Sequence, residues 1–212
     1  MKPVLVLATE NAHKVEELRK ILKPLLPEVS PEQIVSMGDF DVRAPVEDGL
    51  TFEENSLIKA RSVAEATGLP ALADDSVIQV EALGGSPGVF SARWAGHHGD
   101  DRANYELLLA QLVDVKEEDR AASFTCAASL ALPDGQTTVV EGKWPGRLAR
   151  EPYGQGGFGY DPVFIPEGYD VTSAELRPEE KNAISHRVRA FTALAPHIRE
   201  QVLGQVGARR SH

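Results

Sequence analysis

The chain has 212 residues, of which 42% are apolar and 25% are charged, which suits one compact α/β domain or two small lobes. Its formal net charge of −10 argues against a nucleic-acid surface, because no basic block or stripe interrupts the acidic composition. A single cysteine excludes an internal disulfide and no apolar run approaches the roughly 20 residues that span a bilayer, so we expect a cytoplasmic protein.

The first elements are a strand, a polar loop and a helix. Val4–Ala8 is a short continuous apolar run, typical of a strand buried on both faces. The loop Thr9–Lys14 then presents backbone N–H groups that can bind an anion, with Asn11 as a candidate N-cap. The loop lacks the glycine fingerprints of P-loops and dinucleotide folds. Apolar residues at helical spacing follow until Pro27: Val15, Leu18, Ile21, Leu22 and Leu25.

A second helix and a pair of acids come next. Thr51–Glu54 has the form of a capping box, and Gly68 ends the helix. Asp74 and Asp75 then lie between two apolar stretches, which we interpret as the end of a buried strand. Adjacent carboxylates disfavour each other's ionisation, and a divalent cation or nearby basic groups would offset that cost. The pair predicts a metal-assisted catalytic site in which one acid holds Mg²⁺ and another orients water, with a solvated surface turn as the alternative.

The middle of the chain predicts a loop, a helix and a hairpin. Ala82–Gly88 is rich in turn residues and predicts a tight loop. Three leucines indicate the third helix: Leu107, Leu108 and Leu112. Ala121–Leu132 alternates as a half-buried strand, and Pro133–Gly135 turns it back into a strand over Thr137–Glu141. The polar face of the first of these strands carries Ser123, Thr125 and Ser129.

Glycine and aromatic residues crowd the segment before the last helix. Gly156–Pro162 predicts either a structural corner or a slot in which a base stacks, with Asp161 accepting hydrogen bonds. Glu179 opens a carboxy-terminal helix, which Pro196 kinks or restarts. Its buried stripe is predicted to be Ile184, Val188, Phe191, Ala195 and Ile198.

Four basic side chains are candidates for binding an anionic substrate. Lys14 directly follows a buried strand, where the ligand sites of α/β sheets gather. Lys181, His186 and Arg187 can all donate hydrogen bonds to an oxyanion or a base carbonyl, and helical spacing leaves His186 and Arg187 off the buried stripe. For all four, the alternative is a solvated helix surface.

Two other patterns receive no functional interpretation. His97 and His98 are followed by Asp100 and Asp101, but these residues lack the spacing of a closed metal site. Cys126 lies on the apolar face of an alternating strand, with no nearby partner that would make it a nucleophile. We therefore predict that Cys126 is a core residue.

Taken together, these segments resemble the inosine triphosphate pyrophosphatase family. The matching motifs are Thr9–Lys14, Gly49–Asn55, Asp74–Ser76, Leu83–Gly88, Phe158–Pro162 and Ser185–Arg187. They cover nearly the whole chain, and their joint order is highly specific. The resemblance implies an α/β fold with a long mixed sheet spanning two lobes, flanking helices and a nucleotide cleft between the lobes. Residues 1–212 would form this single two-lobed domain, which would assemble as a homodimer.

The resemblance also implies an activity and its residues. Non-standard purine nucleoside triphosphates such as dITP, ITP and XTP would be cut between the α- and β-phosphates with Mg²⁺, giving the monophosphate and pyrophosphate. Asp75 matches the family's general base and metal ligand, and Glu47, beside the matching position Val46, is assigned as a second metal ligand. The residues that match substrate contacts are Thr9, Glu10, Asn11, Ala12, His13, Lys14, Ser76, Phe158, Gly159, Tyr160, Asp161, Lys181, His186 and Arg187.

The chemistry of such a substrate agrees with these residues. A triphosphate needs local positive charge, which Lys14 and Lys181 supply. A 6-oxo purine accepts hydrogen bonds from His186 or Arg187, whereas adenine would leave those donors unpaired. Guanine shares the 6-oxo group, so its rejection must use the 2-amino position. Two rival functions use the same residues: a general Mg²⁺-dependent phosphohydrolase acting on phosphomonoesters, and a nucleotide sensor without catalysis.

Overall fold

The structure, a computed structural model, describes residues 2–204. Its mixed six-stranded sheet with flanking helices confirms the predicted α/β class. The strands are β1 (Leu5–Leu7), β2 (Ile34–Ser36), β3 (Ala71–Val80), β4 (Ala121–Ala131), β5 (Thr137–Leu148) and β6 (Phe164–Pro166). The helices are α1 (Ala12–Leu25), α2 (Phe52–Thr67), α3 (Asp101–Gln111), α4 (Pro178–Ile184) and α5 (His186–Ile198). Within residues 2–204, no helix is long and apolar enough to cross a membrane.

Pairing within the sheet explains why it is mixed. The strand order is β2-β1-β3-β4-β5-β6. β1 runs parallel to β2 and β3, with Leu5 opposite Ile34 and Val6 opposite Ala71. β5 and β6 are antiparallel, and a tight turn joins β4 to β5 at Gly135, whose φ of 90° favours glycine. Parallel pairs need crossovers, and helix α1 follows β1 as such a crossover element.

The contacts of the chain divide it into two compact units. The first unit comprises the described residues of Met1–Asp75, Cys126–Gly142 and Arg187–His212, and the second comprises Ser76–Thr125 and Lys143–His186. In the first unit, apolar side chains of α1 and α5 pack with those of β1 and β4. The second unit has its own core, which combines aliphatic residues with four buried aromatic ones: Phe124, Trp144, Tyr160 and Phe164.

The predicted helix starts are confirmed by their caps. The Asn11 side chain accepts a hydrogen bond from the Lys14 backbone N–H at 3.2 Å, which satisfies one of the free N–H groups at the start of α1. Thr51 and Glu54 form the predicted capping box of α2, and Gly68 ends that helix with a left-handed φ of 66°. Cys126 is fully buried, as predicted for a core residue.

Two strands are longer than predicted. β3 does not end at the acid pair but continues to Val80, so that prediction was wrong. β5 likewise continues past Glu141 to Leu148, and its last three residues pair with β6, which the sequence pattern does not reveal. At Gly146 a side chain would meet the Ile165 carbonyl oxygen at 2.3 Å, so glycine permits this close approach of β6.

β4 is buried on both faces, which corrects the prediction of a half-buried strand. Its hydroxyl residues Ser123, Thr125 and Ser129 are all buried. Two of these hydroxyls have partners that offset the cost of burial: the Ser129 hydroxyl donates to the Ser56 hydroxyl at 2.8 Å, and the Thr125 hydroxyl donates to Gln79 at 2.9 Å. A central position in the sheet, flanked by β3 and β5, gives β4 two covered faces.

The carboxy-terminal helix is interrupted, which corrects the predicted continuous stripe. α4 ends at Ile184, Ser185 is extended with a ψ of 160°, and α5 begins at His186. Helical spacing therefore does not carry across Ser185, and His186 and Arg187 are buried although the stripe placed them outside it. Pro196 lies within α5 two residues before its end.

Candidate active site

The loop after β1 places Lys14 at the start of α1. Within the loop, the Asn11 backbone N–H donates to the Thr9 hydroxyl at 3.2 Å. The Lys14 ammonium donates to the Asp74 carboxylate, with 2.9 Å between Nζ and Oδ1. Lys14 is thus held by an ion pair rather than solvated freely. The three other predicted residues of this loop are exposed: Glu10, Ala12 and His13.

Asp74 lies in the centre of a buried charge cluster. Its Oδ2 accepts a hydrogen bond from Arg187 Nε at 3.0 Å, and its side chain is only 2% exposed. Burial alone would raise the pKa of Asp74, but the charges of Lys14 and Arg187 outweigh it and hold that pKa well below its usual range. Arg187 also donates from Nη1 to both carboxylate oxygens of Glu17, at 2.9 and 3.0 Å. These four charged side chains form the Asp74 cluster: Lys14, Glu17, Asp74 and Arg187.

Asp75 has a different cation as its partner. Lys59 Nζ lies 3.1 Å from Asp75 Oδ1 and 3.0 Å from Glu47 Oε2, so one ammonium joins the two acids assigned as metal ligands. Burial raises the pKa of Asp75, and Glu47 adds to this rise while Lys59 opposes it. Conversely, the two carboxylates outweigh burial and raise the pKa of Lys59. Asp75 therefore retains a proton more readily than an ordinary aspartate does.

The segment that carries Glu47 is attached to the start of α2. The Gly49 N–H donates to the Asn55 side chain at 2.8 Å, and the Leu50 N–H donates to the Glu54 carboxylate at 2.7 Å. The capping residues of α2 therefore also fix the backbone that follows Glu47. Lys59 extends from the second turn of the same helix. Helix α2 therefore carries Lys59 and, through its capping residues, fixes the backbone next to Glu47, the partner of Lys59 in the ion pair.

A pocket of about 150 Å³ lies in the second unit. It brings together seven of the predicted site residues: Ser76, Phe158, Gly159, Tyr160, Asp161, Lys181 and His186. Asp101, which the sequence did not single out for this role, also lines the pocket and accepts a hydrogen bond from the Gly159 N–H at 2.7 Å. The Tyr160 hydroxyl donates to the Ser91 carbonyl oxygen at 2.7 Å, and burial raises the pKa of Tyr160. The Tyr160 side chain is therefore neutral and lines the pocket in a fixed orientation.

Asp161 and Lys181 form a buried ion pair at this pocket. Asp161 also accepts hydrogen bonds from the Phe158 N–H at 2.8 Å and from the Ser173 hydroxyl at 2.7 Å. Gly157 passes so close that a side chain there would lie 2.0 Å from Asp161 Oδ2, and its φ of 74° also requires glycine. The Lys181 ammonium lies 5.1 Å from the centre of the Phe158 ring, within cation–π range. The glycine-aromatic segment thus positions a carboxylate, a cation and an aromatic face together.

His186 is part of an aromatic stack. Its ring is nearly parallel to that of Phe124, at 13° and 4.9 Å between centroids, and Trp144 lies 6.2 Å away at 17°. Phe124 also meets Phe164 edge-on, with 4.7 Å between the ring centroids. These neighbours fix the plane of the imidazole while His186 lines the pocket.

Besides Asp101, three residues of these sites were not identified from the sequence: Glu17, Lys59 and Phe124. Lys59 had a detectable signal, because it is spaced four residues from Asn55 and from Val63, which lie on the buried face of α2. A lysine at a buried helical position indicates a paired or functional cation. Glu17 and Phe124 have no such signal, since their partners lie far away along the chain.

Comparison with known proteins agrees with the α/β fold. A family model described as the Ham1 family matches residues 5–197. The chain is 58% identical over 194 residues to the dITP/XTP pyrophosphatase of Leifsonia xyli, covering 92% of this chain and 94% of that protein. It is also similar to the solved structure of a HAM1 protein from Coxiella burnetii, with a TM-score of 0.83, 42% identity, and coverage of 93% of this chain and 99% of that one.

A second solved structure is similar over the same span. It is titled as a nucleoside-triphosphatase / dITP/XTP pyrophosphatase from Mycobacterium abscessus. The TM-score is 0.75 and the identity 50%, with 92% of this chain and 100% of that chain covered. The similarity therefore extends over both units rather than over one motif.

Proposed function

The chain belongs to the Ham1 family, and from this premise we propose that it hydrolyses non-standard purine nucleoside triphosphates such as dITP, ITP and XTP. The products are the nucleoside monophosphate and pyrophosphate. The observation that carries this conclusion is the 58% identity, across 92% of the chain, to a protein named dITP/XTP pyrophosphatase. The charge clusters and the aromatic pocket described above supply the side chains that such a reaction needs.

The Lys14 and Lys59 ammonium groups are proposed to bind the polyphosphate. Both already contact carboxylates at 2.9 to 3.1 Å, and neither is fully buried, so each can turn toward an anionic ligand. Phosphoryl transfer is catalysed largely by positioning and by positive charge around the phosphate oxygens. Lys14 and Lys59, together with Lys181 as predicted from the sequence, would supply that charge in a protein whose net charge is −10.

The donor set around Lys59 fits a magnesium ion that arrives with its substrate. Among the described residues, no group of three or more His, Cys, Asp or Glu side chains is placed to hold a metal. Glu47 and Asp75, however, converge on one cation, the Lys59 ammonium. Mg²⁺ commonly takes one or two carboxylates and completes its shell with water and substrate phosphates. Glu47 and Asp75 would hold this ion, which supplies charge neutralisation at the phosphates when bound.

Asp75 is proposed as the general base. Burial and Glu47 raise its pKa, which makes it a better proton acceptor than an ordinary aspartate. In the proposed reaction, Asp75 accepts a proton from a water molecule while the water oxygen bonds to the α-phosphorus. The bond from the α-phosphorus to the bridging oxygen breaks, and pyrophosphate leaves with that electron pair.

The pocket of the second unit is proposed to bind the purine. Phe158 offers an exposed aromatic face, and His186 offers a ring N–H donor at a fixed orientation for a 6-oxo group. Adenine carries a 6-amino donor and would leave that N–H unpaired, so the pocket would select strongly against adenine nucleotides. Arg187 contacts Glu17 and Asp74 within the Asp74 cluster, and its predicted contact with the 6-oxo group stays a prediction that rests on the resemblance. The contacts proposed for Thr9–His13 and Ser76 rest on the resemblance.

Three other features remain proposals. We propose that residues 1–212 act as one catalytic domain, that the protein is a homodimer, and that it works in the cytoplasm. The family resemblance supports all three.

The proposed function is tested by incubating the protein with ITP, dITP, XTP, ATP and GTP in the presence of Mg²⁺ and identifying the products. We expect monophosphate and pyrophosphate from the first three and little turnover of ATP and GTP. Release of orthophosphate would refute the cleavage position, and comparable turnover of ATP would refute the selectivity. Binding of ITP without turnover, measured by calorimetry, would indicate a sensor.

A further inference from the structure

Glu17 lies at one end of the Asp74 cluster, where it contacts Arg187. It is on α1, three residues after Lys14, so the two side chains leave the same face of the helix. Both Glu17 carboxylate oxygens accept hydrogen bonds from Arg187 Nη1, at 2.9 and 3.0 Å. The Glu17 side chain is 16% exposed and that of Arg187 is 4% exposed, so this pair is largely shielded from water.

The contacts form an open chain of alternating charges. Glu17 contacts Arg187, Arg187 Nε contacts Asp74 Oδ2 at 3.0 Å, and Asp74 Oδ1 contacts Lys14 Nζ at 2.9 Å. Helix α1 supplies both ends of this chain of charges, Glu17 and Lys14. Two negative and two positive groups balance, which a buried cluster requires.

Each oxygen of Asp74 consequently serves a different cation. An arginine fork prefers to bind both oxygens of one carboxylate. Glu17 occupies Nη1 of Arg187, so that Arg187 uses Nε on Asp74 Oδ2 and leaves Oδ1 to Lys14. Without Glu17, the Arg187 fork would turn onto both oxygens of Asp74 and release the Lys14 ammonium.

We propose that Glu17 is a positioning residue for polyphosphate binding, acting through Arg187 and Asp74 on Lys14. This inference rests on the proposed function, because it assigns Lys14 to the β- and γ-phosphates of the substrate. A Lys14 ammonium that is already held in place loses less conformational freedom when the substrate binds. Glu17 would therefore lower KM for a triphosphate without touching the reacting atoms.

The test compares Glu17→Gln with Glu16→Gln, since Glu16 is an exposed neighbour on the same helix and its substitution makes the same change of charge. We expect Glu17→Gln to raise KM for ITP about tenfold and to change kcat by less than about twofold, because binding is lost equally from ground and transition states. Inhibition by IMP, which lacks the β- and γ-phosphates, should be unchanged. Glu17→Asp, which keeps the charge, should recover most of the loss, and Glu16→Gln should match the wild type.

Two further measurements separate this role from a structural one. In a Lys14→Met background, Glu17→Gln should add no further rise in KM, because the residue through which it acts is gone. Inorganic tripolyphosphate, measured by calorimetry, should bind Glu17→Gln about tenfold more weakly than Glu16→Gln. Circular dichroism establishes that each variant is folded at the assay temperature.

The outcomes are distinct. Equal KM values for Glu17→Gln and Glu16→Gln, an equal loss of IMP binding, or an additive effect in the Lys14→Met background would each overturn the inference. If the wild type releases no pyrophosphate, the proposed function fails. In that case the tripolyphosphate comparison decides the inference: weaker binding by Glu17→Gln supports it and equal binding rejects it.

Discussion

The Asp75 carboxylate lies 3.1 Å from the Lys59 ammonium, while its neighbour Asp74 contacts Lys14 and Arg187 instead. Successive residues of a strand point to opposite faces, so β3 gives each acid its own set of cations. Burial raises the pKa of both acids, but at Asp74 the charges of Lys14 and Arg187 outweigh it and lower the pKa. At Asp75, burial together with Glu47 outweighs the single partner Lys59, so the pKa is raised.

Lys59→Met should shift the pH dependence of catalysis. Lys59 lowers the pKa of Asp75, so its removal raises that pKa further, and the base stays protonated to a higher pH. The acidic limb of the kcat/KM profile should therefore move to higher pH. Profiles measured with ITP check this, with the exposed Lys20→Met as the control. An acidic limb that stays in place would show that Lys59 does not act on the base.

Asp74→Asn should destabilise the folded protein. The substitution leaves the Arg187 side chain, 4% exposed, with one carboxylate partner fewer, and we expect a loss of about 3–5 kcal/mol in the free energy of unfolding at pH 7. Urea unfolding of both proteins measures this difference.

The same pair of proteins should show a defined pH dependence. Because the pKa of Asp74 is lowered in the folded state, its contribution is present above the unfolded value of about 3.9 and is lost as the pH falls toward the folded value. The difference between wild type and Asp74→Asn should thus be constant from neutral pH down to about pH 4 and shrink below it. A difference that shrinks already between pH 7 and 5 would contradict this assignment.

Gly157→Ala should impair substrate binding more than its backbone strain alone explains. The new side chain would lie 2.0 Å from Asp161 Oδ2 and displace the partner of Lys181. Gly168→Ala is the matched control in the same unit, with a φ of 82° and open space around the new side chain. We expect KM for ITP to rise about tenfold in Gly157→Ala only. The two variants should have similar melting temperatures, because movement of the Asp161 side chain relieves the clash. Equal KM values for the two variants would show that the Asp161 carboxylate does not contribute to substrate binding.

His186→Phe should weaken the choice between ITP and ATP. Phenylalanine preserves the stack on Phe124 but removes the ring N–H groups that we assign to the 6-oxo group. The ratio of kcat/KM for ITP to that for ATP should fall by about 10- to 100-fold, mainly through poorer use of ITP. An unchanged ratio would show that a different donor binds the 6-oxo group.

Local signals in the sequence were sufficient for the caps and for several elements. Asn11, Thr51 and Gly68 act through neighbours three or four residues away, so their roles are visible in the sequence. The fold class followed from the strand–helix order and from the resemblance. The strands β2 and β6 were missed because three residues display no period and neither lies in an apolar run as long as the one that identified the equally short β1.

Features that depend on distant partners could not be predicted in the same way. Glu17 and Arg187 are 170 residues apart, and only the folded chain shows that they pair. The continuation of β5 depends on β6, and the burial of the hydroxyl face of β4 depends on its two neighbouring strands. The burial of His186 and Arg187 was missed because a break at Ser185 shifts the helical phase.

The central claim is that the Asp75 carboxylate acts as the base at a polyphosphate. Its most direct test is the single-turnover release of pyrophosphate from ITP with Mg²⁺ by Asp75→Asn, beside the exposed control Asp41→Asn. We predict a loss of about a thousandfold for Asp75→Asn, with an unchanged circular dichroism spectrum and with the control at wild-type rate. Pyrophosphate release by folded Asp75→Asn at the wild-type rate would contradict the claim.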